Sequence, residues 1–334
     1  MTVLDAGVAR ARGLSTHLLP AAAMDELRAS LDLGTVAERL RTGPDPAVLA
    51  GPGAPTPEAL ETAIRRRAGA RLAALARWCA DVPDVLTVLL GEEDRRNLRL
   101  LFHGAVEGAA PADRLRGVVP TPALPSGALA TLAAQTSVPA MAALLGVWHH
   151  PDAPALASIR APGPPDLLAL DAALTRSWAS RATAAAARVD DELRRYVSVT
   201  IDLENALTAV ALVGASGDRP ELEPVPGGHR FPPAAWRTIG AAGSVAAALA
   251  LARQGFAGTP FERAFSGGGG VALARDRAWA TALEVARGRA RTAPLSSAPL
   301  IAYVLGVREE VQQLQRVIWA IALGAPAATR GGRR

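Results

Sequence analysis

The sequence predicts an all-α protein assembled from three related helical units. Three observations point there. Alanine, leucine and arginine dominate, with apolar residues recurring three and four apart, the spacing of one helix face. No stretch shows the alternation of a half-buried strand. A segment with Asp94 and Asn97 also recurs without gaps at Asp202 and Asn205 and again at Glu310 and Gln313, a shift of 108 residues each time. Apolar columns keep the same register, among them Val85, Leu193 and Ile301, or Leu101, Ala209 and Val317.

Taken in order, residues 3–19 carry Val8, Ala11, Leu14 and Leu18 on one face, and Pro20 is expected to end that helix. Short helices over 21–31 and 35–41 precede a Gly/Pro loop over 43–57. Thr56 followed by Pro57 has the form of an N-cap with proline at the first helical position, opening a long helix to about residue 80. Pro83 then starts the first acid-amide stretch. Pro125, Leu132, Val138, Met141 and Leu145 fall about 105 residues after Pro20, Leu27, Leu33, Val36 and Leu40, so the short helix pair is repeated too. Ile239 and Val245 continue the series about 107 residues further on. Each unit therefore reads as two short helices followed by two long ones, with bounds of 5–110, 115–217 and 228–325. Residues 326–334, glycine and arginine without an apolar face, read as a disordered basic tail.

Composition excludes several function classes. Half of the 334 residues are apolar and a fifth are charged, a globular balance. All 36 basic residues are arginine, which excludes lysine-dependent P-loop and Schiff-base chemistry. The formal charge is only +5, and Arg330, Arg333 and Arg334 supply three of those charges, so the body is close to neutral. One cysteine, Cys79, cannot form an internal disulfide, and beside Trp78 in an apolar stretch it reads as an inert core thiol. The first twelve residues mix acid and arginine, unlike a signal peptide, and the longest apolar runs fall short of the ~18 residues of a membrane span.

Local candidates for chemistry have plainer readings. His149 and His150 are neighbours and cannot share a tetrahedral metal as an i, i+4 pair can, so both are expected at the surface. The serine-glycine run 266–270 lacks a following Gly-Lys-Ser/Thr and reads as a flexible turn. Asp190, Asp191 and Glu192 read as a solvated helix start. The clusters Arg65 to Arg67 and Arg95-Arg96 read as solvated faces. No metal, cofactor or catalytic group is expected. An acid with an amide three positions later has the layout of a capping arrangement, so Asp94, Asp202 and Glu310 are expected to start a helix or mark a kink, near Gly91 in the first copy. The competing reading has the three acids lining a shared central feature.

Several segments together resemble the C subunit of V/A-type rotary ATPases, called subunit d in eukaryotic vacuolar enzymes. They are Asp94 to Leu101, Leu193 to Tyr196 with Asp202 to Asn205, Pro260 to Ala264, and Pro299 to Tyr303 with Arg308 to Val311. The resemblance runs from about Ala11 to Gly324. It departs from the family pattern at Gln313, where asparagine is usual, at Ala206, and at Phe102-His103-Gly104. It implies a funnel of three helical units about a pseudo-threefold axis. It also implies a non-catalytic rotor subunit, one copy per complex, between the central stalk and the membrane ring on the cytoplasmic side, serving proton or sodium transport. Arg95, Arg96 and Arg99 are the candidate partner contacts. The rival reading is an arginine-rich helical repeat module gripping an acidic partner or nucleic acid. The lack of interleaved aromatic platforms argues against nucleic acid.

Overall fold

The computed structural model describes residues 3–43, 54–156, 166–213 and 222–326. Every named element among them is a helix. The first group comprises α1 (Val3–Ser15), α2 (Ala21–Ala29), α3 (Leu33–Thr42), α4 (Pro57–Trp78) and α5 (Pro83–Val106). A short α6 (Pro111–Arg114) leads to α7 (Ser126–Ala133), α8 (Val138–Val147), α9 (Leu167–Ala186) and α10 (Asp191–Val213). The last group is α11 (Pro233–Gly240), α12 (Val245–Gly255), a 3-10 helix (Pro260–Phe265), α13 (Gly270–Thr292) and α14 (Ala298–Ala322). The basic tail expected over 326–334 lies, apart from Pro326, outside the described residues.

Local chemistry accounts for the helix starts. The Thr56 hydroxyl accepts from Ala59 N, with Pro57 at the first turn of α4. Asp32, Ser137 and Ser244 cap α3, α8 and α12 by accepting from the backbone N–H three residues on. Pro20, Pro125 and Pro232 stand at the N-cap of α2, α7 and α11. These two sets recur in the same register as the apolar columns. One boundary differs from expectation: α1 ends at Ser15 and not at 19. The Ser15 and Thr16 hydroxyls bond back to Ala11 O and Gly13 O, and the chain tightens into i→i+3 turns before Pro20 is reached.

The long helices pack both on their neighbours in the chain and on distant partners. α5 lies on α9, α9 on α10, α10 on α13, α13 on α14, and α14 on α4, with α1 wedged against α4 and α14. A large apolar core follows these contacts and takes in Val88, Trp178, Leu207, Leu300 and Val311. A second, smaller core joins Leu98, Leu101 and Phe102 of α5 to α7, α8 and the start of α9. Among the described residues only α10 has the length and apolarity of a membrane span, but 67% of that window is buried inside the fold. A helix that is apolar nearly all round is a central core helix when the protein itself supplies its surroundings.

Candidate functional site

The three acid-amide pairs sit in the middle of α5, α10 and α14, not at helix starts. α5 continues unbroken through Gly91. The capping reading is therefore corrected: mid-helix N–H groups are already bonded, so these side chains reach for backbone in other segments. Asn97 exchanges two bonds with Val119, donating to its carbonyl at 2.7 Å and accepting from its N–H at 2.8 Å. Asn205 does the same with Val225, at 2.9 and 2.7 Å. The Thr121 hydroxyl donates to Asp94, and Arg230 N donates to Asp202 at 2.9 Å. Gly228 lies so close that a Cβ there would come within 2.3 Å of the Asp202 carboxylate.

The third pair uses the same acid position with different partners. Glu310 accepts from Leu19 N at 2.6 Å and from Arg67 and Arg71, each also at 2.6 Å. Gln313, one methylene longer than asparagine, accepts from Arg28 at 2.7 Å and donates to Glu309. In each case the gripped segment is the one that leads into a short helix pair: 119–121 before α7, 225–230 before α11, and Leu19 before α2.

Between these joints lies a buried ion network. Arg308 of α14 bonds Glu93 of α5 at 2.8 Å and also pairs with Glu92. Arg95 meets Glu204 of α10 at 3.0 Å, Glu92 at 3.3 Å and the Thr175 hydroxyl of α9 at 3.1 Å. Arg275 of α13 reaches Glu204 at 3.2 Å, and Arg99 reaches Asp171 at 2.9 Å. Trp279 lies under the guanidinium groups of both Arg96 and Arg308. Burial alone would raise the Glu204 pKa, but Arg275, Arg95 and Arg99 hold it far below the usual carboxylate range. Glu93 behaves alike: burial opposes its charge, and Arg308 and Arg96 more than restore it.

Several sequence readings change here. Arg95 is 1% exposed and is no solvated face, and Arg96 and Arg99 are largely covered. Arg67 likewise turns inward to Glu310. Arg95 and Arg67 thus direct their charge to internal carboxylates, while Arg99 keeps 23% of its side chain exposed. His150 is buried beside Asp152, which pairs with Arg181 at 2.8 Å, and burial lowers its pKa; only His149, with φ of 53°, keeps the expected exposed place. Asp190 is not merely solvated, since it accepts from Leu193 N and from both the backbone and the hydroxyl of Ser297, fastening α10 to the start of α14. Glu192 is also buried, held by Arg195 and Arg289. Cys79 is buried as expected, and burial pushes its thiol up to about 11. Among the described residues no group of three or more His, Cys, Asp or Glu stands where it could hold a metal.

The acids Glu92, Glu93 and Glu204 were not singled out by sequence, although one signal pointed to Glu204. Ile201, Leu203, Ala206, Leu207 and Val210 surround it on α10, and a charge inside an all-round apolar helix calls for a buried cation.

Asp94 gives a testable pH signature. Burial, with Asp152 and Glu93 nearby, raises its pKa from 3.8 to about 7 against the opposing Thr121 hydrogen bond. The folded state then binds the proton more tightly than the unfolded chain. Its stabilising effect is complete below about pH 4 and is lost as pH rises to 7. Asp94→Asn retains an oxygen for Thr121 without the charge. It should match the parent near pH 4 and exceed it at pH 8, by up to about 4 kcal/mol. Melting temperature across that range checks this, and a pH-independent difference would contradict it.

The fold and site define an all-helical protein whose central polar residues join helices to one another. The chain belongs to the ATP synthase (C/AC39) subunit family, whose model matches residues 7–331. It is thus a V/A-type ATP synthase subunit by family. No curated protein matches the sequence.

Proposed function

We propose that this chain is the non-catalytic coupling subunit of a V/A-type rotary ATPase, seated as one copy between the central stalk and the membrane ring on the cytoplasmic face and turning with them. In this reading residues 5–110, 115–217 and 228–325 are three units arranged as a funnel about a pseudo-threefold axis. The observation that carries the proposal is the hand-over between them: Asp94 grips the segment entering α7, Asp202 the segment entering α11, and Glu310 the segment entering α2. Such a sequence of grips closes on itself, and a closed ring of joints resists twist at every seam. The recurring N-caps of the short helices support the same threefold arrangement. The six acid and amide residues act as joints in this scheme, and stalk and ring contacts fall to exposed side chains outside the network.

Deleting the subunit and assaying isolated membranes tests the proposal. Hydrolysis of ATP by the soluble catalytic portion should persist while ATP-driven ion pumping is lost. The purified chain alone should hydrolyse no ATP. Normal coupled pumping without the subunit would sink the proposal.

A further inference from the structure

A cavity of about 220 Å³ opens between α10, α13, the start of α14 and the 3-10 helix Pro260–Phe265, with Tyr196 standing between it and the Glu92, Glu93 and Arg308 cluster. Its walls are mostly apolar, with Val199 and Leu203 from α10, Phe261, Val285 from α13 and Ile301 from α14, beside the hydroxyl side chains Tyr196, Thr200 and Thr259. Leu203, Phe261 and Ile301 are themselves buried core residues, so the hollow is a gap in packed structure. At about 30 Å³ per water it has room for roughly seven waters, and beyond three hydroxyl side chains the walls give them few partners.

The rim has the opposite character. Arg195 and Arg289 share one carboxylate, Glu192, with Arg195 at 2.7 Å and Arg289 Nε at 2.9 Å. The Arg289 hydrogen bond is the main cause holding the Glu192 pKa below its usual range, so the acid is charged and fully engaged. Arg230 stands at the same mouth, its guanidinium donating to Gly255 O. Three guanidiniums against one carboxylate leave the mouth positive above an apolar hollow. We infer that this cavity binds a small anionic amphiphile, its acid group at Arg195 and Arg289 and its aliphatic tail among Val199, Leu203, Phe261 and Ile301. The acid group would take guanidinium N–H donors that Glu192 leaves over, and the tail would fill space that water occupies poorly. Because α10, α13 and α14 all line the hollow, an occupant would stiffen their mutual packing.

Calorimetric titration of the full chain with sodium octanoate tests the inference, with octanol and octyltrimethylammonium as matched controls. Saturable binding of octanoate, with both controls much weaker, is expected. Arg289→Gln should weaken octanoate about tenfold, the loss of one charge-assisted hydrogen bond. Ala286 of α13 also lines the hollow, and Ala286→Phe, which fills it, should abolish binding; if that variant does not fold, Arg289→Gln decides. Vesicles of anionic phospholipid distinguish the source of the ligand. Displacement of octanoate by such vesicles assigns the site to a membrane lipid, and binding unaffected by them assigns it to a soluble carboxylate; either supports the site. Equal binding of the three amphiphiles, no binding of octanoate, or an unchanged affinity in Arg289→Gln would overturn it.

Discussion

Arg308→Met is expected to destabilise the protein by about 3–5 kcal/mol at neutral pH, the cost of removing one partner from a buried ion cluster. Methionine keeps most of the side chain's length and its packing against Trp279, so the change isolates the charge. Arg308 is 3% exposed, and burial, which would lower its pKa, is outweighed by Glu92 and Glu93, which raise it. Without the cation, Glu92 and Glu93 remain next to each other among apolar helices with only Arg95 and Arg96 to offset them. The sign of the pH effect then reverses. In the parent Glu93 is depressed below 4.5, so its stabilisation is present above that pH and is lost as pH falls. In the variant desolvation dominates, and the penalty should shrink as pH drops toward 4.5 and the carboxyls take up protons. Chemical denaturation at pH 5 and pH 8 checks this. A deficit that grows on acidification would contradict it.

Glu310→Ala is the second large effect, again about 3–5 kcal/mol, or roughly 4–7 °C in Tm for a chain of this size. Glu310 is 7% exposed and binds two arginines that are 4% exposed, together with the backbone of Leu19. Removing it takes one buried counter-charge from Arg67 and Arg71 and the acceptor from the turn before α2. Glu310→Gln should recover the Leu19 hydrogen bond but not the charge balance, placing it between the parent and Glu310→Ala. Protease sensitivity in residues 13–32 should rise with the same ranking. Equal stability of all three proteins would show that the joint contributes nothing.

The helices were legible in the sequence because their signals are local. Thr56 and Pro57 announce α4 within two residues, and the spacing of Val85, Val88 and Leu89 marks the buried face of α5. The acid-amide column was legible as a repeat but not as chemistry. A carboxylate three residues before an amide matches a local cap, whereas the partners of Asp94 and Asn97 lie 27 and 22 residues away. The arginine doublet 95–96 differs from its expected exposure for a related reason. Whether a guanidinium meets water or a carboxylate depends on the neighbouring helix, and Glu204 is 109 residues from Arg95. His150 likewise depends on a distant partner: its backbone N–H bonds Leu145 O, and it lies beside Asp152, which Arg181 of α9 holds.

The grip of Glu310 on Leu19 spans 291 positions of the chain. During synthesis at about 5–20 residues per second, α1 and the turn after it therefore wait roughly 15–60 s for their partner. α1 packs chiefly on α14, and the apolar side chains of Val8 and Ala11 stay uncovered by it until α14 has been made. The nascent α1 is consequently a surface that holding chaperones can occupy, and its release coincides with the emergence of α14.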